Sequence, residues 1–116
     1  MKTIRQISQR DQDRRSLALH CLVAEKLRDD PALLSRAAEI LAHWRASAQP
    51  GTDRWLRQWA ELFDSGLSAT LKVATEDSER GRALRQSSPL ACLLSNRERW
   101  AFLAQWKVNE EAHEAA

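Results

Sequence analysis

The chain has 116 residues, 43% of them apolar and 29% charged, with a mean hydropathy of −0.56 and a formal net charge of +2. That length suits one domain, leaves no room for two, and lets a core form without metal or disulfide staples. The longest apolar run, Leu90 to Leu94, falls far short of the ~18 residues needed to cross a bilayer, which excludes a membrane-spanning helix.

The opening Met1 to Gln6 lacks the apolar stretch of a secretory signal, so the chain is expected to work in the cytoplasm. Lys2, Arg5, Arg10, Arg14 and Arg15 load the start, and Glu110, Glu111 and Glu114 load the end. The expected layout is a basic, flexible arm over 1–12, a helical domain over 13–108 and an acidic tail over 109–116.

The first helix is expected from about Asp13 to Arg28, where Leu19, Leu22, Val23, Ala24 and Leu27 recur at spacings of three and four. Asp29-Asp30-Pro31 then ends that helix and starts the next, with Asp30 as cap and Pro31 in the first turn. Leu33, Leu34, Ala37, Ile40, Leu41 and Trp44 follow a helical period, opposite a face carrying Arg36, Glu39 and Arg45. Pro50-Gly51 marks a turn. Thr52 or Asp53 is expected to cap a third helix, whose apolar set is Trp55, Leu56, Trp59, Leu62 and Phe63. Gly66 suits its C-terminal stop, because glycine takes positive φ at little cost.

A short fourth helix accommodates Leu67, Leu71 and Ala74. The polar stretch from Thr75 to Gln86 reads as helical, although Gly81 weakens it by about 1 kcal/mol relative to alanine. Ser87-Ser88-Pro89 breaks it, and the apolar Leu90 to Leu94 follows. Ser95-Asn96-Arg97-Glu98 matches a capping box, opening a last helix with Trp100, Phe102, Leu103 and Trp106. With strand signals scarce, the fold class is all-α: a compact bundle of five or six mostly short helices.

No chemistry-bearing constellation emerges. His20, His43 and His113 stand apart, with no second ligand at helical spacing, so no metal is expected. His20 borders the apolar face of the first helix and reads as a core-edge residue. Cys21 and Cys92 lie among leucines and read as buried thiols. Nucleophile elbows, clustered glycines and catalytic-cysteine contexts are missing, so neither a catalytic residue nor a cofactor is expected.

Two features stand out. Arg80, Arg82 and Arg85, followed by Gln86, Ser87 and Ser88, form a donor-rich segment suited to phosphates or a partner's carboxylates, with Arg82 and Arg85 on one helix face. Surface pairing of Arg82 with Glu79, or of Arg80 with Asp77, is the plainer use of those arginines. The second feature is five tryptophans. Trp100 and Trp106 are six apart, hence roughly 120° apart around a helix, so one of them is a candidate for exposure. Exposed tryptophan and arginine together are typical of interface cores.

Ser16-Leu-Ala-Leu-His20 with Asp30-Pro31-Ala-Leu-Leu34, Asp77-Ser-Glu with Leu84-Arg-Gln-Ser-Ser-Pro89, and Leu94-Ser-Asn-Arg-Glu-Arg-Trp100 form a recognisable pattern over residues 16–107. It resembles a group of small bacterial all-helical proteins, encoded on mobile elements or beside toxin-like partners in the manner of antitoxins. The resemblance implies no catalytic activity and carries over no binding residues. Together with the Arg/Trp features it implies a non-enzymatic module that occludes a protein partner, toxin-like or part of another complex. The expected contact set is Arg80, Arg82, Arg85, Gln86, Ser87, Ser88 and Trp100. Two alternatives stay open: an autoregulatory nucleic-acid-binding protein, opposed by the modest pI of 8.8, and a mobile-element inhibitor of a defence complex.

Overall fold

The computed structural model describes residues 8–115, with side chains to residue 113. Its elements are α1 (Gln9–Asp29), α2 (Leu33–Arg45), α3 (Pro50–Ser65), α4 (Leu67–Ala74), α5 (Glu79–Arg85), a 3₁₀ helix (Pro89–Leu93) and α6 (Asn96–Ala115). Among the described residues there is no strand, and no helix is long and apolar enough to cross a membrane. The all-α bundle expected from the sequence is what forms, although its first and last helices are long.

Helix α1 starts earlier than its apolar pattern suggested, because Ser8 caps it by accepting from the Asp11 N–H at 3.1 Å. Residues 9–12, expected in the arm, therefore belong to the helix; Lys2 and Arg5 lie outside the described residues. At the other end α6 continues helically to Ala115, so the described part of the expected tail belongs to it. Asp30 does not cap α2 through its side chain. Instead Leu33 and Leu34 donate backbone N–H groups to the Asp30 and Pro31 carbonyls in a tight turn, and the helix begins at Leu33. Helix α3 starts at Pro50, not at a Thr52 or Asp53 cap. Proline suits N1 because its missing N–H would be unbonded there. Asp53 lies in the first turn and pairs with Arg45 and Arg57. Gly66 ends α3 at φ 111° and directly precedes α4.

Leu19, Val23, Ala24 and Leu27 of α1 meet Ala37 and Leu41 of α2, Leu56, Trp59 and Leu62 of α3, and Leu71, Val73 and Ala74 of α4 in one buried cluster. Leu84 closes it from α5, and Leu90 and Leu93 close it from the 3₁₀ helix. The cysteines depart from expectation: both are exposed. Cys21 falls about 130° around α1 from the middle of the buried stripe. In the 3₁₀ helix, with three residues per turn, Leu90 and Leu93 eclipse on the buried side and Cys92 points out.

Helix α6 is the outlier: none of its described side chains is buried. It meets α1 through Trp106 and Glu110, with the Arg14 guanidinium 5.6 Å from the Trp106 ring centre and 3.3 Å from Glu110, while Phe102 packs against the core. The Ser95–Glu98 capping box forms as read, with Ser95 N–H on Glu98 Oε1 at 2.8 Å and Glu98 N–H on Ser95 Oγ at 3.1 Å. Lys26 bonds the same Glu98 and the Leu93 carbonyl, pinning the start of α6 to α1.

Candidate functional site

The donor-rich segment singled out in the sequence folds around Arg85. Ser78 takes an extended conformation and caps α5 by accepting from the Gly81 N–H at 3.0 Å. Helix α5 is thus confined to Glu79–Arg85, shorter than the helix over 75–86 that the sequence suggested. A side chain at position 81 would collide with the Glu76 carbonyl and approach Arg85 Nη1 to 2.9 Å, so this glycine allows a close approach of backbone and guanidinium.

Arg85 turns inward through that gap. Its Nη1 donates to the carbonyls of Ala74, at 3.2 Å, and Glu76, at 2.8 Å, satisfying acceptors at the end of α4. The residue is only 5% exposed. Burial, with Arg82's like charge adding, lowers its pKa, while Asp77 and Asp13 oppose the shift. Trp59 clamps the same helix from the other side, donating its indole N–H to the Leu84 carbonyl at 2.9 Å.

The expected contact residues separate into different settings. Arg80 and Gln86 are exposed, and Ser87 is half-buried. Arg82 is half-buried and makes a surface pair, but with Asp77 at 3.2 Å and not with the Glu79 expected for it. Ser88 is buried, its Oγ accepting from the Leu90 N–H to cap the 3₁₀ helix, so it is no free surface donor. Trp100 is 70% exposed on the outer face of α6, whereas Trp106 is half-buried and stacked on Phe102. The 120° offset placed one indole inward and one outward.

Arg82 and Arg85 share a face, as their spacing required, and that face looks onto α1. A cleft of about 410 Å³ opens there between α1, α5, the 3₁₀ helix and α6. Arg82, Arg85 and Arg99 contribute cations, and Leu19, Phe102 and Leu103 contribute an apolar lining. Arg99 is held by a hydrogen bond to the Ala91 carbonyl at 2.6 Å. Trp100 does not line this cleft.

His20 does line it, and sequence reasoning assigned it no role in a site. It is 1% exposed, deeper than the core edge expected of it. Its Nδ1 lies 2.7 Å from the Ser16 carbonyl. A carbonyl only accepts, so Nδ1 carries the proton and Nε2 is left as an acceptor. Burial holds the ring down at about 4; the Ser16 bond opposes this and the Arg85 charge reinforces it. The signal for a site was present as an Arg15-Ser16-x-x-Leu19-His20 stripe on α1, facing Arg99-x-x-Phe102-Leu103 on α6. Each half read by itself as core packing.

Among the described residues, no group of three or more metal-ligating side chains gathers. No protein-family model matches the chain, and neither a curated protein nor a solved structure is significantly similar to it.

Proposed function

We propose that this chain is a non-enzymatic, cytoplasmic protein-binding module that acts by occluding a partner's surface, in the manner of an antitoxin-like neutraliser or accessory subunit. The observation that carries the reading is Trp100, 70% exposed on a helix none of whose described side chains is fully buried. Covering a large apolar side chain is worth roughly 1.5–3 kcal/mol, and tryptophan is the residue most enriched among interface anchors. Ala104 and Val108 continue the ridge at i+4 and i+8, and both are exposed.

Arg97 and Lys107 flank that ridge, so the partner it fits offers an apolar groove edged by carboxylates. Arg80, on α5, is a further exposed cation. A mobile-element inhibitor of a defence complex would use the same face, and the adjacent genes would tell the two apart. The nucleic-acid alternative is less well supported, because Arg14 and Arg82 are already engaged by Glu110, Asp11 and Asp77.

The test is a pull-down from the native host with wild type, Trp100→Ala and a control, Arg36→Ala, on the exposed face of α2. A protein recovered by wild type and control, and depleted at least roughly tenfold by Trp100→Ala, is the expected result. No specific partner, or equal recovery by all three, overturns the reading.

A further inference from the structure

Among the described residues no carboxylate forms an ion pair with the Arg85 guanidinium, although Asp77 and Asp13 lie near enough to favour its charge. Only its Nη1 is engaged; Nε and Nη2 are shielded from solvent and have no partner among the described residues. A buried charge is retained at a large cost unless something pairs with it. The neighbouring acids are committed elsewhere, Asp77 to Arg82 and Asp13 to the Gln9 amide at 3.1 Å. In the same cleft lies an acceptor, His20 Nε2, also shielded and without a partner among the described residues. Both residues line the cleft whose remaining lining includes Leu19, Phe102 and Leu103, and its volume falls in the usual range for ligand sites.

The complement of this arrangement is a unit with an anionic oxygen, a nearby N–H and an apolar body. We propose that the cleft receives the C-terminal residue of a partner polypeptide, its carboxylate on Arg85, its backbone N–H on His20 Nε2 and its apolar side chain against Leu19, Phe102 and Leu103. A free carboxylate and its own amide N–H lie close together in every peptide C-terminus that does not end in proline, and capture of that terminus is a known recognition mode. Inorganic phosphate offers the charge but nothing for the apolar lining. The source of the terminus, a partner protein, rests on the reading above; the chemistry of the cleft does not.

The probe is N-acetyl-L-leucine titrated into the full ¹⁵N-labelled chain, following backbone amide shifts. Saturable shifts at Leu19, His20, Ala91 and Leu103 are expected. N-acetyl-L-leucinamide, which lacks the carboxylate, 4-methylpentanoate, which lacks the N–H, and inorganic phosphate should each bind at least roughly tenfold more weakly. Arg85→Gln should abolish the shifts. Should that chain fail to fold, Leu103→Trp decides, since it fills the cleft from α6 without touching the bonds that hold Arg85. No saturable shift, phosphate binding as well as the acetylated residue, or undiminished binding by a folded Leu103→Trp chain would each overturn the proposal. Trp100→Ala should titrate like wild type. Normal titration with no Trp100-dependent partner therefore sinks only the occlusion reading, and the reverse sinks only this one.

Discussion

His20 and Arg85 set the behaviour of the cleft because neither can relax into water. The histidine is held at about 4, mainly by burial, against an ordinary value of 6.5. Between those values the unfolded chain binds a proton that the folded chain refuses, so stability is complete above about 6.5 and declines as pH falls towards 4. The full loss is up to about 3 kcal/mol. Glu98 titrates lower: the Lys26 hydrogen bond, helped by Ser95, holds it at about 2. Its contribution is complete above about 4.5 and disappears as pH falls through 2, so the two windows overlap only between about 4.5 and 4. Urea unfolding of wild type should therefore weaken between about pH 6.5 and 4, and His20→Gln should flatten that decline; an unchanged slope would refute the assignment. His20's proximity to the core was legible from its place beside Leu19 and Val23. Arg85's burial was not, because nothing local distinguishes it from Arg82 three residues earlier.

At the scale of elements, α5 is too short to be stable alone, since isolated helices need roughly 12–15 residues even in favourable sequences. It persists because Ser78 caps it, Trp59 donates to its Leu84 carbonyl and Arg85 ties it to the end of α4. Gly81 is the joint that lets these restraints coexist. Alanine normally stabilises a helix relative to glycine by up to about 1 kcal/mol. Here the sign should reverse: Gly81→Ala should destabilise by about 1–3 kcal/mol, the cost of overpacking. Ser78→Ala should cost about 1 kcal/mol, the usual worth of a cap. Chemical denaturation of both variants checks the order, and a stabilised Gly81→Ala chain would show that the close approach is absent. The glycine was visible in the sequence only as a weakness in a helix. Its use depends on what passes beside it.

Across the whole molecule, the apolar cluster draws on α1 to α5 and the 3₁₀ helix, while α6 contributes only partly buried side chains. Local opening is easiest where few apolar contacts are lost. Amides of α6 beyond the Lys26–Glu98 pin should therefore exchange with deuterium by local opening, well before those of α1 and α3, which should await global unfolding. Uniform protection along the chain would contradict that division.

Local sequence determined where helices form, because periodic leucines, the Gly66 stop, the Pro50 start and the Ser95–Glu98 box act within one or two turns of chain. It also determined that Trp100 and Trp106 face different ways, a consequence of helical pitch alone. Tertiary structure decided which arginine is sealed inside, that Ser88 is spent as a cap, that both thiols face outward, and that α1 and α6 enclose a cleft. Those outcomes depend on contacts between residues distant in sequence, such as Lys26 with Glu98, Trp59 with Leu84 and His20 beside Arg85, and spacing along one helix carries no information about them.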